Sequence, residues 1–273
     1  MAKPDVRIVE DVAGAAAGYV ADGLRAALDD NATASLVLSG GGTPLALYAR
    51  LAQPAVADGL DWARVHVFWG DERLVPPDDP GSNFAAAQES LLRHVPIPEA
   101  NVHRVKTELD EAAAIADYAE QLRAFAQRHD PGCPSPWPRF DVVLLGLGED
   151  GHTASLFPGS EAACIVPVQP AEAEYDGRPA RRVTLTPIVF NDARRVVFLV
   201  TGTNKAAAVA AALGPERDPD RFPAQRIEPV DGGSVATDLA IPGAGSVPSG
   251  WRDGGEDLPG RGGFELGPTR WAG

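Results

Sequence analysis

Leu145-Gly-Leu-Gly-Glu-Asp-Gly-His-Thr-Ala-Ser-Leu-Phe-Pro-Gly159 is the stretch of this chain that decides its fold class. The apolar run 142–146 predicts a buried strand. It leads through a glycine-rich turn to His152, where we expect a helix to begin. A second segment, 36–44, repeats the order of apolar run, glycines and helix start. Open α/β sheets place ligand sites at such strand ends, so the two segments predict an enzyme that acts on an anionic small molecule.

Strand-like and helix-like stretches alternate along the rest of the chain. Apolar runs predict strands at 35–38, 65–69, 102–105, 141–146, 182–186 and 195–200. Helical spacing of apolar residues predicts helices at 12–28, 44–51, 82 or 83 to 92, 109–129 and 203–213. A loop rich in Pro and Asp is predicted at 70–81. The alternation predicts an α/β fold with a mostly parallel sheet covered by helices on both faces.

The composition divides the chain near residue 238. Residues 1–238 predict a single α/β domain, while 14 of the 35 residues from 239 to 273 are Gly or Pro and show no hydrophobic periodicity. Such a composition buries too little apolar surface to order a chain. We therefore expect 239–273 to be a disordered or loosely packed tail.

The formal net charge of −14 limits the partners of this protein. An acidic surface repels nucleic acids and anionic membranes, so neither is expected as a partner. It also repels a phosphorylated substrate, so an anion site needs a local cluster of Arg, Lys and backbone N–H groups. The first residues lack the apolar core of a signal peptide, and no apolar run is long enough to span a bilayer, which predicts a cytoplasmic protein.

The two cysteines predict no special chemistry. Cys133 and Cys164 are too few for a disulfide framework, and neither has the spacing of a metal ligand. We expect them to be reduced thiols, of the kind that often serve as small buried apolar residues.

Ser39-Gly-Gly-Gly-Thr-Pro44 is the first segment with possible chemistry. Thr43 is predicted to cap the following helix, with Pro44 at its first position. The backbone N–H groups of Gly41, Gly42 and Thr43 could approach an anion closely, aided by the helix dipole. A tight strand-to-helix turn would use the same glycines, and the segment alone does not choose between the two interpretations.

Asp71 and Arg73 follow Gly70 at the end of a predicted strand. Arg73 offers a planar donor fork that suits phosphate. A solvated Asp-Glu-Arg turn also accounts for these charges, and for the segment in isolation it is the better interpretation, because charge clusters are common on protein surfaces.

His152 is the histidine in a glycine-rich turn at a strand end, and it is the predicted general base because histidine titrates near neutral pH. Asp150 could orient its ring or hold the turn. The other four histidines, at positions 66, 94, 103 and 129, are assigned to structure or solvent.

Arg182 and Lys205 complete the candidate site. Arg182 opens a predicted strand and Lys205 follows another, so in a parallel sheet Lys205 would lie at the edge of the site. Arg182 or Lys205 taken alone is better interpreted as a surface cation. Together with Arg73 they could supply the positive cluster that the acidic chain otherwise lacks.

These segments resemble the motifs of one known family. They are Ser39-Gly-Gly-Gly-Thr-Pro44, Gly70-Asp-Glu-Arg73 with Ser82-Asn83, Gly146-Leu-Gly-Glu-Asp-Gly-His-Thr-Ala-Ser-Leu-Phe-Pro158, Arg182-Val-Thr-Leu-Thr186 and Val200-Thr-Gly-Thr-Asn-Lys205. The chain resembles the 6-phosphogluconolactonases of the glucosamine-6-phosphate isomerase/6-phosphogluconolactonase family over roughly residues 10–238. The resemblance implies a Rossmann-like sheet of the sugar-phosphate isomerase and deaminase kind, without a dinucleotide.

The resemblance implies an activity and a mechanism. The reaction is hydrolysis of 6-phospho-D-glucono-1,5-lactone to 6-phosphogluconate in the oxidative pentose phosphate pathway, without metal or other cofactor. His152 would activate water, and Asp71 would orient His152 or bind a sugar hydroxyl. Arg73, Arg182, Lys205 and the N–H groups of the 41–43 segment would hold the phosphate or the oxyanion. The expected protein is a monomer or weak homo-oligomer.

Two other functions stay open: an amino-sugar-phosphate deaminase or isomerase, and a non-catalytic sugar-phosphate sensor. The related deaminases usually carry Ile-Ala-Phe-Asn-Glu after the histidine, and their acidic pair is followed by Tyr. This chain has Thr153-Ala-Ser-Leu-Phe157 and Arg73 instead. It also departs from the family at its end, where 233–238 keeps only a trace of the usual final Trp-containing strand and Ala-rich close.

Overall fold

The computed structural model describes residues 5–132, 134–161, 165–173, 179–229 and 233–238. Its strands are β1 (Asp5–Ile8), β2 (Ala34–Leu38), β3 (Val65–Trp69), β4 (Asp71–Arg73), β5 (Val102–His103), β6 (Val142–Gly146), β7 (Val168–Glu172), β8 (Arg181–Leu185), β9 (Val196–Val200) and β10 (Gly233–Thr237). Its α-helices are α1 (Val12–Asp30), α2 (Gly42–Leu51), α3 (Pro54–Ala57), α4 (Asn83–Ser90), α5 (Glu111–His129), α6 (Pro187–Phe190) and α7 (Ala206–Leu213). The predicted tail 239–273 and both cysteines lie outside the described residues.

Seven strands form the main sheet, in the order β1-β10-β9-β6-β2-β3-β5, and every pair in it is parallel. Its central strands are apolar throughout because both faces of the sheet are covered. In β2, Leu36 and Leu38 face the layer that contains α1 and α2, while Val37 faces the layer that contains α5. This is the predicted α/β architecture, with helices on both faces.

A second sheet was not predicted from the sequence. It has three strands in the order β4-β8-β7, and both of its pairs are antiparallel. Strand β4 lies inside the predicted loop 70–81. The sequence does not predict it because Asp-Glu-Arg has neither the length nor the apolar alternation of a strand. It forms through pairing with β8, more than 100 residues later, which local sequence patterns do not report.

Two predicted helix starts are wrong. No helix follows His152: Thr153 and Leu156 form a short antiparallel bridge, and Ala154 between them has a left-handed backbone with φ 48°. Helix α2 begins at Gly42 after Gly41, which makes no side-chain cap, so Thr43 is not the capping residue. The Thr43 hydroxyl bonds the Thr201 hydroxyl instead, at 2.6 Å.

Other boundaries shift by a few residues. The predicted helix 203–213 starts as a 3₁₀ turn at Thr203–Lys205 and continues as α7. Strands β1 and β10 of the main sheet are not among the predicted strands. Residues 233–238, which include β10, resemble only a trace of the family's final strand. Both strands are short: β1 is the edge strand, and β10 lies between β1 and β9.

Three of the histidines predicted to serve structure or solvent pack together beside β3 and β5, with His66 buried and His103 and His129 partly buried. His66 Nδ1 lies 2.9 Å from His103 Nε2, and the His103 ring stacks on Phe68 with centroids 4.3 Å apart. His129, at the end of α5, packs against His66 and hydrogen-bonds Thr33. Burial, followed by the neighbouring histidine charges, lowers the pKa of both His66 and His103 to about 4.

These pKa shifts predict acid lability. Between pH 6.5 and about 4 the unfolded chain takes up protons that the folded His66 and His103 exclude, so the free energy of unfolding falls as the pH is lowered through this window. Urea denaturation at pH 7 and pH 5 measures the change. His103→Gln should weaken the pH dependence, whereas His94→Gln, at an exposed position, should retain it. Equal pH dependence in the two variants would contradict this assignment.

Candidate active site

A cleft of about 220 Å³ opens where β2, β6 and β9 of the main sheet end, beside strands β4 and β8 of the small sheet. All eight predicted site residues line it: Gly41, Gly42, Thr43, Asp71, Arg73, His152, Arg182 and Lys205. The structure therefore brings together residues that are up to 164 positions apart in the chain. The main sheet is parallel, so the loops after its strands meet at one edge.

Two buried tyrosines fix the ends of β2 and β3. The Tyr48 hydroxyl accepts the N–H of Ser39 at 2.7 Å and donates to its carbonyl at 2.8 Å. The Tyr118 hydroxyl bonds both backbone groups of Trp69 in the same way, at 2.8 and 2.7 Å. Burial raises the pKa of both hydroxyls, so they stay protonated and can donate. The backbone leading to the glycine loop and to Asp71 is thereby held in place.

The glycine loop after β2 presents the start of α2 to the cleft. Gly41 has φ +107°, a conformation that favours glycine, and a Cβ on Gly40 would lie 2.1 Å from the side-chain oxygen of Asn83. The first N–H groups of α2, on Gly42 and Thr43, have no acceptor within the helix. They are available to an anion, and the helix dipole favours negative charge there.

The small sheet places charged side chains on one wall of the cleft. In the antiparallel pair β4–β8, Asp71 lies opposite Thr184 and Arg73 lies opposite Arg182. Alternate residues of a strand share a face, so these four side chains project to the same side. Two directly opposed cations repel each other, which favours an anion between or beside them. Arg182 is 4% exposed, and its guanidinium lies 5.5 Å from the centre of the Phe157 ring.

Asp71 is held by its neighbours rather than by His152. Its Oδ2 accepts a hydrogen bond from Ser155 Oγ at 2.6 Å and lies 3.9 Å from Arg182 Nη1. Asn83 donates to the Asp71 carbonyl at 2.8 Å and lies 3.4 Å from Oδ1.

Glu72 points to the opposite face of β4 and organises the next loop. Its carboxylate accepts the N–H groups of Arg73, Asn83 and Phe84, each at 2.7 Å, and the hydroxyl of Ser82 at 3.2 Å. Burial raises the pKa of Glu72, while these N–H bonds oppose the shift. The carboxylate therefore fixes the start of α4 to β4.

The His152 turn is built around Asp150. One oxygen of Asp150 accepts the backbone N–H of His152 at 3.1 Å and lies 2.6 Å from the ring Nδ1. Asp150 thus fills both roles that the sequence left open. With the Nδ1 proton directed at Asp150, Nε2 is the basic nitrogen. A Cβ on Gly148 would lie 2.0 Å from Nδ1, which explains glycine at that position.

The loop after β9 ties the other two loops together. Thr201 bonds Thr43, as noted above, and Asn204 donates to Glu149 Oε1 at 2.6 Å. The N–H of Gly202 bonds both oxygens of Asp238, at 3.0 and 3.2 Å. Lys205 ends the 3₁₀ turn of this loop and lines the cleft.

Four residues that organise the site were missed by sequence reasoning: Tyr48, Glu72, Tyr118 and Ser155. Tyr48 and Tyr118 fit the apolar spacing of the predicted helices 44–51 and 109–129, which indicates burial but no role for the hydroxyl. Their hydroxyl contacts, and that of Ser155 with Asp71 84 residues away, leave no local sequence signal. Within the described ranges, no group of three or more His, Cys, Asp or Glu is placed to hold a metal ion. No helix there is long and apolar enough to cross a membrane.

Comparison with known proteins decides the family. The model of the glucosamine-6-phosphate isomerases/6-phosphogluconolactonase family matches residues 8–236. The chain belongs to this family. Among curated members, it is 42% identical over 204 residues to a 6-phosphogluconolactonase of Synechocystis sp., covering 74% of this chain and 81% of the relative. It is also 42% identical over 223 residues to the Mycobacterium tuberculosis 6-phosphogluconolactonase, covering 78% and 86%.

Solved structures of the family share the fold. The 6-phosphogluconolactonase of Thermotoga maritima aligns with a TM-score of 0.74 and 27% identity, over 86% of this chain and 99% of that one. The Trypanosoma brucei enzyme aligns with a TM-score of 0.71 and 30% identity, over 86% and 96%. A monomeric glucosamine-6-phosphate deaminase aligns with a TM-score of 0.73 at 20% identity, which shows a common fold.

The tight packing of the glycine loop predicts a contrast between neighbouring glycines. Gly40→Ala should lower the free energy of unfolding by about 1–3 kcal/mol, because its Cβ collides with Asn83, which cannot move without losing its bond to Asp71. Gly42→Ala is the matched control, since nothing lies within 4 Å of its Cβ and its φ is ordinary. Urea denaturation of both variants tests this, and equal stability would show that the loop gives way.

Proposed function

We propose that this protein hydrolyses 6-phospho-D-glucono-1,5-lactone to 6-phospho-D-gluconate, the lactonase step of the oxidative pentose phosphate pathway. The observation that carries the proposal is the convergence of an oriented histidine with three cations and a helix N-terminus in one cleft. The names of the relatives support it, since the Synechocystis and Mycobacterium tuberculosis proteins described above are 6-phosphogluconolactonases.

The cations and backbone donors would bind the charged parts of the substrate. Arg73, Arg182 and Lys205 line the cleft with the N–H groups of Gly42 and Thr43. Such a set can hold the phosphate and also stabilise the oxyanion that forms when water attacks the lactone carbonyl. Holding the distant phosphate fixes the carbonyl relative to the base, so that binding energy lowers the barrier.

His152 would act as general base. Its Nε2 takes a proton from water as the water attacks the lactone carbonyl, and the developing imidazolium is stabilised through Nδ1 by Asp150. The tetrahedral intermediate then collapses, the bond from carbonyl carbon to ring oxygen breaks, and His152 returns the proton to that oxygen. A positioned base contributes about 10²- to 10⁴-fold, which suffices for a lactone that already opens in water.

Asp71 would bind a hydroxyl of the sugar. The resemblance implies that Asp71 either orients His152 or binds a hydroxyl, and the carboxylate that bonds the His152 ring is that of Asp150. Asp71 lines the cleft, and its carboxylate is held by Ser155 and Asn83. A fixed acceptor of this kind suits a substrate hydroxyl.

The amino-sugar deaminase is the less favoured alternative. Two residues that differ from the deaminase pattern lie at the site: Ser155, in place of Phe, bonds Asp71, and Phe157, in place of Glu, packs on His152 with ring centroids 5.1 Å apart. A sugar-phosphate sensor would bind 6-phosphogluconate without turnover, and the oriented base argues against that role.

We extend the proposal to the setting of the enzyme. We propose a cytoplasmic protein, and its net charge of −14 disfavours binding to nucleic acids and to anionic membranes. The mechanism requires neither metal nor organic cofactor. Residues 1–238 are proposed as one catalytic domain, acting as a monomer or weak homo-oligomer.

His152→Ala is the direct test of the base. We expect it to lower kcat by about 10²-fold or more while 6-phosphogluconate still binds, because only proton transfer is lost. Lactone hydrolysis is followed as NADPH formation by coupled 6-phosphogluconate dehydrogenase, with spontaneous opening subtracted. His94→Ala, at an exposed position, is the control. Full activity of His152→Ala would rule out the base, and an inactive wild type would rule out the lactonase.

The Asp150 contact predicts a second kinetic effect. Asp150→Asn can donate to Nδ1 and so favours the wrong ring tautomer, and we expect kcat to fall on the order of tenfold or more. Glu149→Gln is the neighbouring control, because the amide keeps an oxygen acceptor for Asn204. The same coupled assay measures both variants, and unchanged kcat in Asp150→Asn would remove Asp150 from the mechanism.

A further inference from the structure

Lys205 reaches the cleft on a turn that is not anchored by a buried side chain. The turn 201–205 follows β9, and none of its five residues is buried. Packing therefore contributes little to its position, which depends on hydrogen bonds from neighbouring elements. Two of these bonds were described above: one joins Thr201 to the glycine loop, and the other joins Asn204 to the His152 turn.

A third hydrogen bond holds the residue of the turn that has the greatest backbone freedom. Gly202 has φ +95°, and a glycine can leave such a conformation for others at little cost. Its N–H donates to both carboxylate oxygens of Asp238, at 3.0 and 3.2 Å, and its carbonyl accepts the N–H of Lys205 at 3.0 Å. Two consecutive hydrogen bonds thus connect Asp238 with the backbone of Lys205 through one glycine.

The main sheet brings Asp238 to this place. Strands β9 and β10 are parallel, with Val200 opposite Thr237, so the residues that follow the two strands are neighbours. The mechanism proposed above does not use Asp238. Its charge has the wrong sign for a direct role, because a carboxylate beside an anion site repels the ligand. The contact with Gly202 is a role that suits a carboxylate at this position.

We propose that Asp238 is a positioning residue, whose hydrogen bond to Gly202 holds the turn so that Lys205 faces the phosphate or the oxyanion of the substrate. This inference rests on the proposed lactonase function. Without the carboxylate, the turn moves about Gly202 in the free protein, and ligand binding has to order it again. The affinity for an anionic ligand therefore falls. The orientation of His152 is unaffected, because Asp150 supplies it.

The test compares two carboxylates that each accept a backbone N–H. Asp238→Ala should raise the Kd of 6-phosphogluconate, measured by calorimetry, about fivefold, and lower kcat/KM for the lactone by a similar factor. This product carries a phosphate and a carboxylate, so its affinity reports Lys205 in either position. Asp238→Asn keeps an oxygen acceptor and should retain most of the affinity.

Asp110→Ala is the matched control. It removes the same charge and an N–H contact with Ala113 at the start of α5, and Asp110 is not among the described residues that line the cleft. Its Kd should stay within about twofold of wild type, because loss of a distant, screened charge has little effect on binding. Charge removal alone would leave the Kd of Asp238→Ala unchanged or lower it, so a rise identifies positioning.

A double-mutant cycle separates positioning of Lys205 from a general loss of structure. Lys205→Met should weaken 6-phosphogluconate binding about tenfold. Adding Asp238→Ala to it should have little further effect, because the cation that the turn positions is gone. Asp238 is exposed, so we expect its variants to fold, and urea denaturation checks each of them.

The possible outcomes separate this proposal from the lactonase assignment. An unchanged or lower Kd in Asp238→Ala overturns the role of Asp238, as does an equal rise in Asp110→Ala or in the Lys205→Met background. A wild-type protein that binds 6-phosphogluconate without hydrolysing the lactone overturns the lactonase, while the Kd values still decide the role of Asp238. A wild-type protein that does neither overturns both.

Discussion

Three residue pairs between β4 and β8 of the small sheet build the charged wall of the cleft. The alternation of β4 gives its side chains separate tasks: Asp71 and Arg73 face the cleft, and Glu72 faces the start of α4. The same pairing sets Arg182 beside Arg73. A one-residue slip would reverse these faces, turn Glu72 into the cleft and leave two buried charges without their partners. The charged residues of the site therefore face the cleft only when β4 and β8 pair in this register.

This acidic chain can still have a cationic cleft, because the net surface charge and the cations of the cleft act over different distances. The net charge of −14 is spread over the surface, and salt screens it beyond roughly 8 Å. Within the cleft, an anion meets guanidinium groups and helix N–H groups at contact distance, where screening is weak. Local donors therefore outweigh the general repulsion. The same repulsion disfavours polyanions, which would have to lie along the acidic surface outside the cleft.

Much of the fold and of the candidate site could be predicted because both depend on local patterns. The strands 34–38, 65–69 and 142–146 are apolar throughout, since the sheet is covered on both faces. The rule that sites form at strand ends then indicated residues that line a single cleft. Strand β4, the missing helix after His152 and the contact from Ser155 to Asp71 depend on partners far along the chain. Their formation is a property of tertiary packing, which no window of sequence contains.

The site combines a rigid frame with buried charges that are held in fixed positions. Tyr48 and Tyr118 fix the two strand ends, Glu72 fixes the start of α4, and Asp150 fixes the histidine ring. Each contact orients a group of the site through hydrogen bonds before the substrate binds. The protein therefore needs less reorganisation during the reaction itself. Neutral donors such as a serine hydroxyl or an asparagine amide hold a carboxylate without neutralising it. An anion site with its own aspartate therefore needs polar, uncharged neighbours as much as it needs arginines.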